Sequence, residues 1–214
     1  EQRSTHARAR HRQGAATKHR SRSLGQYNYC YCTKSSHFKY VLEEALKNDI
    51  HIETSSAFDL DIIKALYKNE KLGKDRYIVC NGFKTGNYVD GIIELIELGF
   101  ENLHIILDNT DELDLFVSRT DKIINIGIRI ASEEEPKFEF WTSRLGIGYK
   151  FIVPFYEEKI KHLANVRLKM LHFFINTGIR DTAYYWNELH KCLNVYASLA
   201  KHCTHLQHLN IGGG

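Results

Sequence analysis

The sequence lacks several features that define whole classes of protein. No apolar run approaches the ~18 residues that a membrane-spanning helix needs, so no membrane span is predicted. Only two of the 214 residues are proline, which argues against long proline-rich linkers. The five cysteines form an odd-numbered set without a C-x-x-C pair, which indicates reduced thiols in a cytoplasmic protein. The phosphate-binding patterns G-x-G-x-x-G and G-x-x-x-x-G-K-[ST] are also missing, which disfavours a nucleotide-binding protein.

Basic charge is concentrated at one end of the chain. Residues 1–25 hold seven Lys and Arg and one acid, whereas residues 26–214 hold 22 basic and 25 acidic residues. A nucleic-acid-binding arm and a transit-like leader are the alternatives for residues 1–25, but this segment has neither interleaved aromatic residues nor an apolar face. We predict a disordered extension over 1–25 and one folded domain over 26–214. The mildly acidic domain predicts no nucleic-acid partner.

From residue 26 onward, short apolar strands alternate with helical periodicity. The strands are predicted at 27–33, 51–54, 77–80, 103–107, 123–130, 168–174 and 206–211. The first helix is expected to be capped by Ser35 or Ser36, and another helix to follow Pro154. Apolar strands separated by helices predict a parallel sheet covered by helices. The fold class is therefore α/β: a (β/α) barrel of TIM type, incomplete at about seven of eight strands, with an open doubly wound sheet as the alternative.

Polar side chains follow the predicted strands, at the end where barrel proteins place their chemistry. They comprise Lys34, Glu53, Asp59, Asn81, Lys84, Asp108, Asn109, Arg129, Arg144, His172, Asn176, Thr177 and the run Gly212, Gly213, Gly214. A lysine, carboxylates, an arginine and a glycine-rich run at one rim suit a phosphorylated cofactor held through an imine.

Each of these residues also has a plainer structural interpretation. Lys34 could be a solvated surface charge, Asp59 a helix cap and His172 a hydrogen-bonded core histidine. The glycine run could be chain punctuation. The closely spaced His205 and His208 have no acidic or thiolate companion, so no metal site is predicted.

Eight segments, in order over residues 27–214, carry a family resemblance. They are Y-x-x-K (31–34), IETSSAFDL (52–60), VCNGFK (79–84), DELDL (111–115), IGIRI (126–130), SRLG (143–146), LHFFINTGI (171–179) and LNIGGG (209–214). The sequence resembles the pyridoxal-phosphate-dependent decarboxylases of the alanine-racemase-like barrel fold, and most closely the biosynthetic arginine decarboxylases.

The resemblance implies a role for each matching residue. Lys34, buried in the barrel mouth, would bind pyridoxal 5′-phosphate covalently as an imine, and Glu53 and Asp59 would stand near the cofactor. Arg144 would orient the side of the ring that carries the hydroxyl. Thr177 would take the place of a serine near the phosphate.

Two further parts of the predicted cofactor site come from the end of the chain. Gly212, Gly213 and Gly214 would contribute backbone amides to the phosphate. Phe174 stands where the family usually has a histidine that stacks on the cofactor ring. A phenylalanine can stack but cannot form a hydrogen bond, so the resemblance leaves both the substrate and the activity open.

The implied function is that of a carbon–carbon lyase: decarboxylation of a basic amino acid, most closely arginine to agmatine in polyamine and spermidine biosynthesis. Ornithine, lysine or diaminopimelate as the substrate, and a non-catalytic pyridoxal-phosphate-binding barrel, are the alternatives. The family's C-terminal β domain, its ring-nitrogen carboxylate and its proton donor are expected beyond Gly214, so this chain alone is expected to be inactive. The full-length parent is expected to be a homodimer or larger.

Overall fold

The computed structural model describes residues 25–131, 145–175 and 182–212, which alternate between strands and helices. The strands are β1 (Cys30–Cys32), β2 (His51–Thr54), β3 (Ile78–Cys80), β4 (Leu103–Leu107), β5 (Ile124–Ala131), β6 (Ile147–Gly148), β7 (Val166–Phe173) and β8 (His208–Asn210). The helices are α1 (Lys39–Leu46), α2 (Ala57–Lys68), α3 (Gly86–Glu97), α4 (Glu112–Val117), α5 (Tyr149–Glu158) and α6 (Thr182–Ala200).

All eight strands belong to one parallel sheet. Its order is β1-β2-β3-β4-β5-β7-β8, and β6 pairs with β5 off this path. The sheet curls on itself, because strands far apart in this order touch across the interior: Glu53 of β2 contacts Asn210 of β8, and the rings of His104 and His208 lie 5.4 Å apart. The predicted incomplete parallel barrel is confirmed, and the open doubly wound sheet is wrong.

The main core lies between the outer face of the sheet and the helices. Helix α3 is typical: Tyr88, Val89, Ile92, Leu95 and Ile96 recur at helical spacing and are all buried. A smaller apolar layer fills the barrel interior and consists of Val79, Ile106 and Met170 with Cys30 packed against them. Within the described ranges, no helix has both the length and the apolarity to cross a bilayer.

A bulge in β7 decides which of its side chains enter the barrel. Leu168 pairs with Ile126, but the next pair is Met170 with Gly127, so one extra residue, Lys169, is inserted. Side chains alternate between the two faces of a strand, and the insertion therefore shifts the alternation by one. As a result Met170 belongs to the small interior layer, while Leu171 packs in the main core.

Three local predictions are wrong. A two-residue strand, β6, was not predicted. Helix α5 begins at Tyr149 and contains Pro154, rather than following it. Inside a helix, proline removes the hydrogen bond of its own N–H and its ring crowds the carbonyl four residues earlier, yet this helix continues one turn further, to Glu158. The residue that caps α1 is Phe38, without a side-chain hydrogen bond, because Ser35 ends a short 3-10 turn over Thr33–Ser35.

A cluster of aromatic and imidazole rings fills the barrel at the amino ends of the strands. Tyr77 lies at its centre, with ring centroids 4.7 Å from His51, 5.4 Å from His104 and 5.3 Å from His208. His104 is fully buried, and its Nδ1–H donates to the carbonyl of Asn102 at 3.0 Å. Burial, with the neighbouring His208 as a smaller cause, lowers the pKa of His104 to about 4, so this imidazole is neutral in the folded protein at neutral pH.

Acid is therefore expected to destabilise the fold through His104. Its pKa is about 4 when folded and 6.5 in the reference state, so the unfolded chain takes up the proton first as the pH falls. The contribution of a neutral His104 is complete above pH 6.5 and is lost progressively down to pH 4. The loss is on the order of 3 kcal/mol in the free energy of unfolding, measured by urea denaturation at several pH values.

The non-titrating variant His104→Gln isolates this effect from that of the other carboxyl and imidazole groups. Its free energy of unfolding should fall less steeply with acid than that of the unmodified chain. The matched control is His190→Gln, because His190 is exposed on α6. Equal pH slopes for the unmodified chain and His104→Gln would contradict the prediction.

Candidate functional site

Polar side chains gather inside the barrel at the carboxyl ends of the strands. Strand register places Arg129 of β5, His172 of β7 and Asn210 of β8 at one level. Glu53 of β2 joins them across the interior, because its carboxylate accepts hydrogen bonds from Asn210 and from Asn81, which follows β3. These five side chains form the polar layer of the barrel mouth, and they come from five different strands or strand ends.

The lysine of the Y-x-x-K segment lies on a braced turn at this mouth. Lys34 is in the 3-10 turn that follows β1. Thr33, which is fully buried, donates its hydroxyl to the backbone carbonyl of Glu53 at 3.1 Å, and the Tyr31 hydroxyl donates to the carbonyl of Ser36 at 3.1 Å. The expected burial of Lys34 is wrong, because its side chain is exposed. The braced turn therefore fixes the backbone while the amine stays accessible.

Phe174 connects the amine to the polar layer. Lys34 Nζ lies 5.7 Å from the centroid of the Phe174 ring, and the guanidinium carbon of Arg129 lies 5.6 Å from it. Both distances are in the range of cation–π attraction. Gly212 packs beside the same ring: with φ at +70°, a Cβ on Gly212 would lie 2.9 Å from the carbonyl oxygen of Phe173 and 3.0 Å from Phe174 Cδ2. Only glycine fits this position.

Hydrogen-bond partners fix the orientation of the Asn81 amide. Asn81 Oδ1 accepts from the N–H of Gly82 at 2.9 Å, and Nδ2 donates to Glu53 Oε1 at 3.2 Å. The second hydrogen on Nδ2 is therefore donated to His172 Nε2, also at 3.2 Å. Tyr88 supports this arrangement from outside the barrel, because its buried hydroxyl donates to the backbone carbonyl of Asn81 at 2.9 Å.

His172 is consequently a neutral imidazole that carries its proton on Nδ1. Burial, followed by the positive charges of Arg129, Lys34 and Lys84, lowers the pKa of His172 to about 3. Its Nδ1 is buried without a hydrogen-bond partner. The interpretation of His172 as a hydrogen-bonded core histidine therefore holds through Nε2, whereas Nδ1 is buried with no partner within hydrogen-bond distance.

Asp59 serves the start of α2. Its Oδ2 accepts from the backbone N–H of Ser55 at 2.8 Å and from the Ser55 hydroxyl at 3.3 Å. Asp59 lies in the first turn of the helix, and such reach-back bonds satisfy donors ahead of a helix. The capping interpretation therefore accounts for this buried carboxylate, and its role near a cofactor stays a prediction.

A second, fully buried group of charges lies beneath the mouth. The Lys84 ammonium donates to the carbonyls of Gly82 at 2.5 Å and Ile106 at 2.6 Å, and lies 3.8 Å from Glu112 Oε2. Burial lowers the pKa of Lys84 and raises that of Glu112, and the attraction between the two groups opposes both shifts. Asp108 Oδ1 is 3.6 Å from the Arg129 guanidinium, so this group of charges reaches the residue that lies beside Phe174.

The structure brings together only some of the predicted site residues. Lys34, Glu53, Phe174 and Gly212 meet at the mouth, whereas Arg144, Thr177, Gly213 and Gly214 lie outside the described residues. The N–H of Gly212, expected to face a phosphate, donates to Asn210 Oδ1 at 2.8 Å.

Sequence reasoning placed Arg129 and Asn81 at the strand ends of the site without a specific role, and it missed Asn210. The signal for Asn210 was available: an asparagine two residues before a glycine is typical of a turn in which the Asn side chain accepts the N–H of the glycine. Arg129 was noted at a strand end, but the resemblance gave the ring-side role to Arg144.

The residues present fit a phosphorylated aromatic aldehyde. An accessible primary amine lies near an aromatic face, and a turn too tight for any side chain borders the same ring. The Arg129 guanidinium brings a positive charge to the other side of the mouth, 5.6 Å from the centroid of the same ring, which suits an acidic ligand. Fold and site together define an incomplete (β/α) barrel with an amine-bearing mouth suited to an aldehyde cofactor.

Comparison with known proteins defines the family. A model of the family "Pyridoxal-dependent decarboxylase, pyridoxal binding domain" matches residues 11–214, so the chain belongs to that family and its cofactor is pyridoxal phosphate. The biosynthetic arginine decarboxylase of Prochlorococcus marinus (strain MIT 9515) is 25% identical over 215 residues, which cover 91% of this chain and 32% of that protein. The chain thus spans about a third of the length of the curated relatives it matches.

Solved structures share the fold at low sequence identity. The diaminopimelate decarboxylase from M. jannaschi superposes with a TM-score of 0.72 at 19% identity, covering 92% of this chain and 46% of that one. The arginine decarboxylase of Paramecium bursaria Chlorella virus, bound to agmatine, gives a TM-score of 0.65 at 17% identity, covering 88% and 48%. These similarities support the barrel and do not distinguish among substrates.

Proposed function

We propose that this chain is the cofactor-binding barrel of a decarboxylase for basic amino acids, with arginine as the substrate and agmatine as the product. The observation that carries the proposal is the position of the Lys34 amine over the Phe174 ring, with Arg129 near the same ring. Two observations support the choice of arginine. The eight sequence segments that resemble arginine decarboxylases occur in the same order as in that family, and the chain is similar to curated arginine decarboxylases.

In this proposal each residue of the mouth has a physical task. Lys34 holds the cofactor covalently through its amine, and Phe174 supplies a flat apolar surface for the ring. Arg129 places a fixed positive charge beside that ring, and Glu53 keeps the surrounding strands in register. When bound, pyridoxal phosphate withdraws electrons from the α-carbon of the substrate, which stabilises the charge left when CO₂ departs.

Arg144, Thr177, Gly213 and Gly214 are proposed to complete the cofactor site, as the resemblance implies. Asp59 is proposed to act through the first turn of α2. The amino-acid substrate would enter at the same mouth, and a homodimer or larger assembly is proposed for the full-length protein.

Phe174 favours a second candidate, a barrel that binds pyridoxal phosphate without catalysing decarboxylation. A histidine on the cofactor ring can form hydrogen bonds, whereas this phenylalanine offers only its face. Release of CO₂ from arginine, ornithine, lysine and diaminopimelate by the full-length gene product separates the two candidates and ranks the substrates. Cofactor binding without release of CO₂ from any of the four would favour the second.

The cofactor role of Lys34 is tested on the 214-residue chain. The chain is incubated with pyridoxal phosphate, the covalent linkage is reduced with borohydride, and the labelled peptides are identified by mass spectrometry. We expect the label on Lys34 at low cofactor concentration, and not on Lys68, which is exposed to solvent as Lys34 is. If Lys34 is labelled no more than Lys68 at low cofactor concentration, Lys34 has no special role in cofactor binding, and this part of the proposal is wrong.

A further inference from the structure

The seam between the first and last strands of the sheet is held by side chains. Strands β1 and β8 are the two ends of the sheet order, and no ladder pairing joins them in the described part of the chain. Ring contacts of His208 with Tyr77 and His104 cross the interior beside this seam, and at the mouth Asn210 of β8 donates its Nδ2–H to Oε2 of Glu53 in β2 at 3.4 Å. A hydrogen bond between two polar side chains therefore links β2 to β8 across the barrel interior.

Each end of this contact is attached to a different turn of the mouth. The backbone carbonyl of Glu53 accepts the hydroxyl of Thr33, the residue before Lys34, at 3.1 Å. Asn210 Oδ1 accepts the N–H of Gly212 at 2.8 Å, in the turn where φ is +70°. The two ends of the Asn210 amide therefore contact both turns. Its oxygen accepts the N–H of Gly212 in the glycine turn, and its nitrogen donates to Glu53, whose carbonyl braces the Lys34 turn.

The contact requires a donor at position 210. Glu53 accepts from Asn81 on Oε1 and from Asn210 on Oε2, so both of its oxygens face N–H groups. A carboxylate at position 210 could still accept the N–H of Gly212, but it would face Glu53 as a second negative acceptor, and the two groups would repel. The chemistry at 210 therefore decides whether the seam is attracted or pushed apart.

We propose that Glu53 and Asn210 form a positioning bridge that sets the glycine turn relative to the Lys34 turn. The inference rests on the proposed function, in which both turns hold pyridoxal phosphate. A ligand that reaches both turns should then depend on the bridge, whereas a ligand that reaches only Lys34 should not. Pyridoxal phosphate and pyridoxal, which lacks the phosphate, are such a pair of probes.

The test exchanges donor and acceptor across the bridge. Glu53→Gln leaves two amide donors facing each other, and Asn210→Asp leaves two carboxylate acceptors facing each other. The double variant restores a donor and an acceptor, because the amide introduced at 53 donates to the carboxylate introduced at 210. We expect each single variant to bind pyridoxal phosphate about tenfold more weakly, the size of one hydrogen bond. Pyridoxal affinity should change less than about twofold, and the double variant should recover most of the lost affinity.

A second measurement needs no cofactor. Hydrogen exchange of the Gly212 amide in the cofactor-free chain should be about tenfold faster in Glu53→Gln and near its original rate in the double variant. Glu53→Gln serves alone if Asn210→Asp does not fold. The control is Asn187→Asp, because Asn187 is exposed on α6. If the unmodified chain does not bind pyridoxal phosphate, the proposed function fails, and exchange still tests the bridge.

Two results overturn the bridge itself. One is single variants that match the unmodified chain in pyridoxal phosphate affinity and in Gly212 exchange. The other is a double variant that binds pyridoxal phosphate no more tightly than the weaker of the two single variants. If each residue had only a structural role, exchanging donor and acceptor would not restore the affinity, so recovery in the double variant is specific to the bridge.

Discussion

Replacement of Lys34 by alanine is expected to abolish covalent binding of pyridoxal phosphate and to leave a non-covalent affinity at least ~100-fold weaker than that of the unmodified chain. The amine is the group in the described mouth that lies both in reach of solvent and near the Phe174 ring, so its loss removes the covalent attachment and leaves only non-covalent contacts. Binding is followed by the absorbance change that the cofactor undergoes when it attaches to an amine.

Two further variants separate the amine from its charge and from general effects of losing a lysine. Lys34→Arg keeps the positive charge near Phe174, but a guanidinium is not a nucleophile at neutral pH, so this variant should also fail to bind covalently. Lys68→Ala removes an exposed lysine on α2 and should bind as the unmodified chain does. Covalent binding by Lys34→Ala at the original affinity would place the attachment elsewhere.

The fold could be predicted where a strand is apolar on both faces. Strand β4 has the predicted bounds, because four of its five residues are apolar and buried parallel strands are apolar runs between turn signals. Strand β2 also has the predicted bounds, although Ile52 is its one apolar residue. The two-residue strand β6 has no periodicity to detect. The start of α5 was misplaced because proline is a strong signal for the start of a helix, and here it lies inside one.

The site could be predicted as a set of strand ends but not as a set of contacts. Rules for parallel barrels place Lys34 and Glu53 at the mouth without any knowledge of their partners. The contacts of His172 depend on the bulge at Lys169, which brings it level with Arg129, and no residue pattern marks that insertion. The bridge from Glu53 to Asn210 joins residues 157 positions apart, so it depends on how far the sheet curls.

Lys84→Ala is expected to cost about 3–5 kcal/mol in the free energy of unfolding, the usual consequence of removing one partner of a buried ion pair. The Lys84 side chain is fully buried, and its ammonium satisfies two backbone carbonyls as well as lying 3.8 Å from Glu112. Without it, Glu112 and the neighbouring Asp108 remain as buried carboxylates with less positive charge nearby. Urea denaturation of the 214-residue chain measures the loss.

The cause can be separated from the loss of side-chain volume. Lys84→Met keeps most of the apolar stem and should still be strongly destabilised, because the carbonyls of Gly82 and Ile106 lose their donor and the Glu112 carboxylate loses the positive charge beside it. Adding Glu112→Gln to Lys84→Met removes the uncompensated charge and should recover part of the stability, since a neutral amide costs less to bury than a carboxylate. Lys68→Met, on the exposed face of α2, is the control. If Lys84→Met lowers the free energy of unfolding no more than Lys68→Met does, the buried ion pair contributes little to stability.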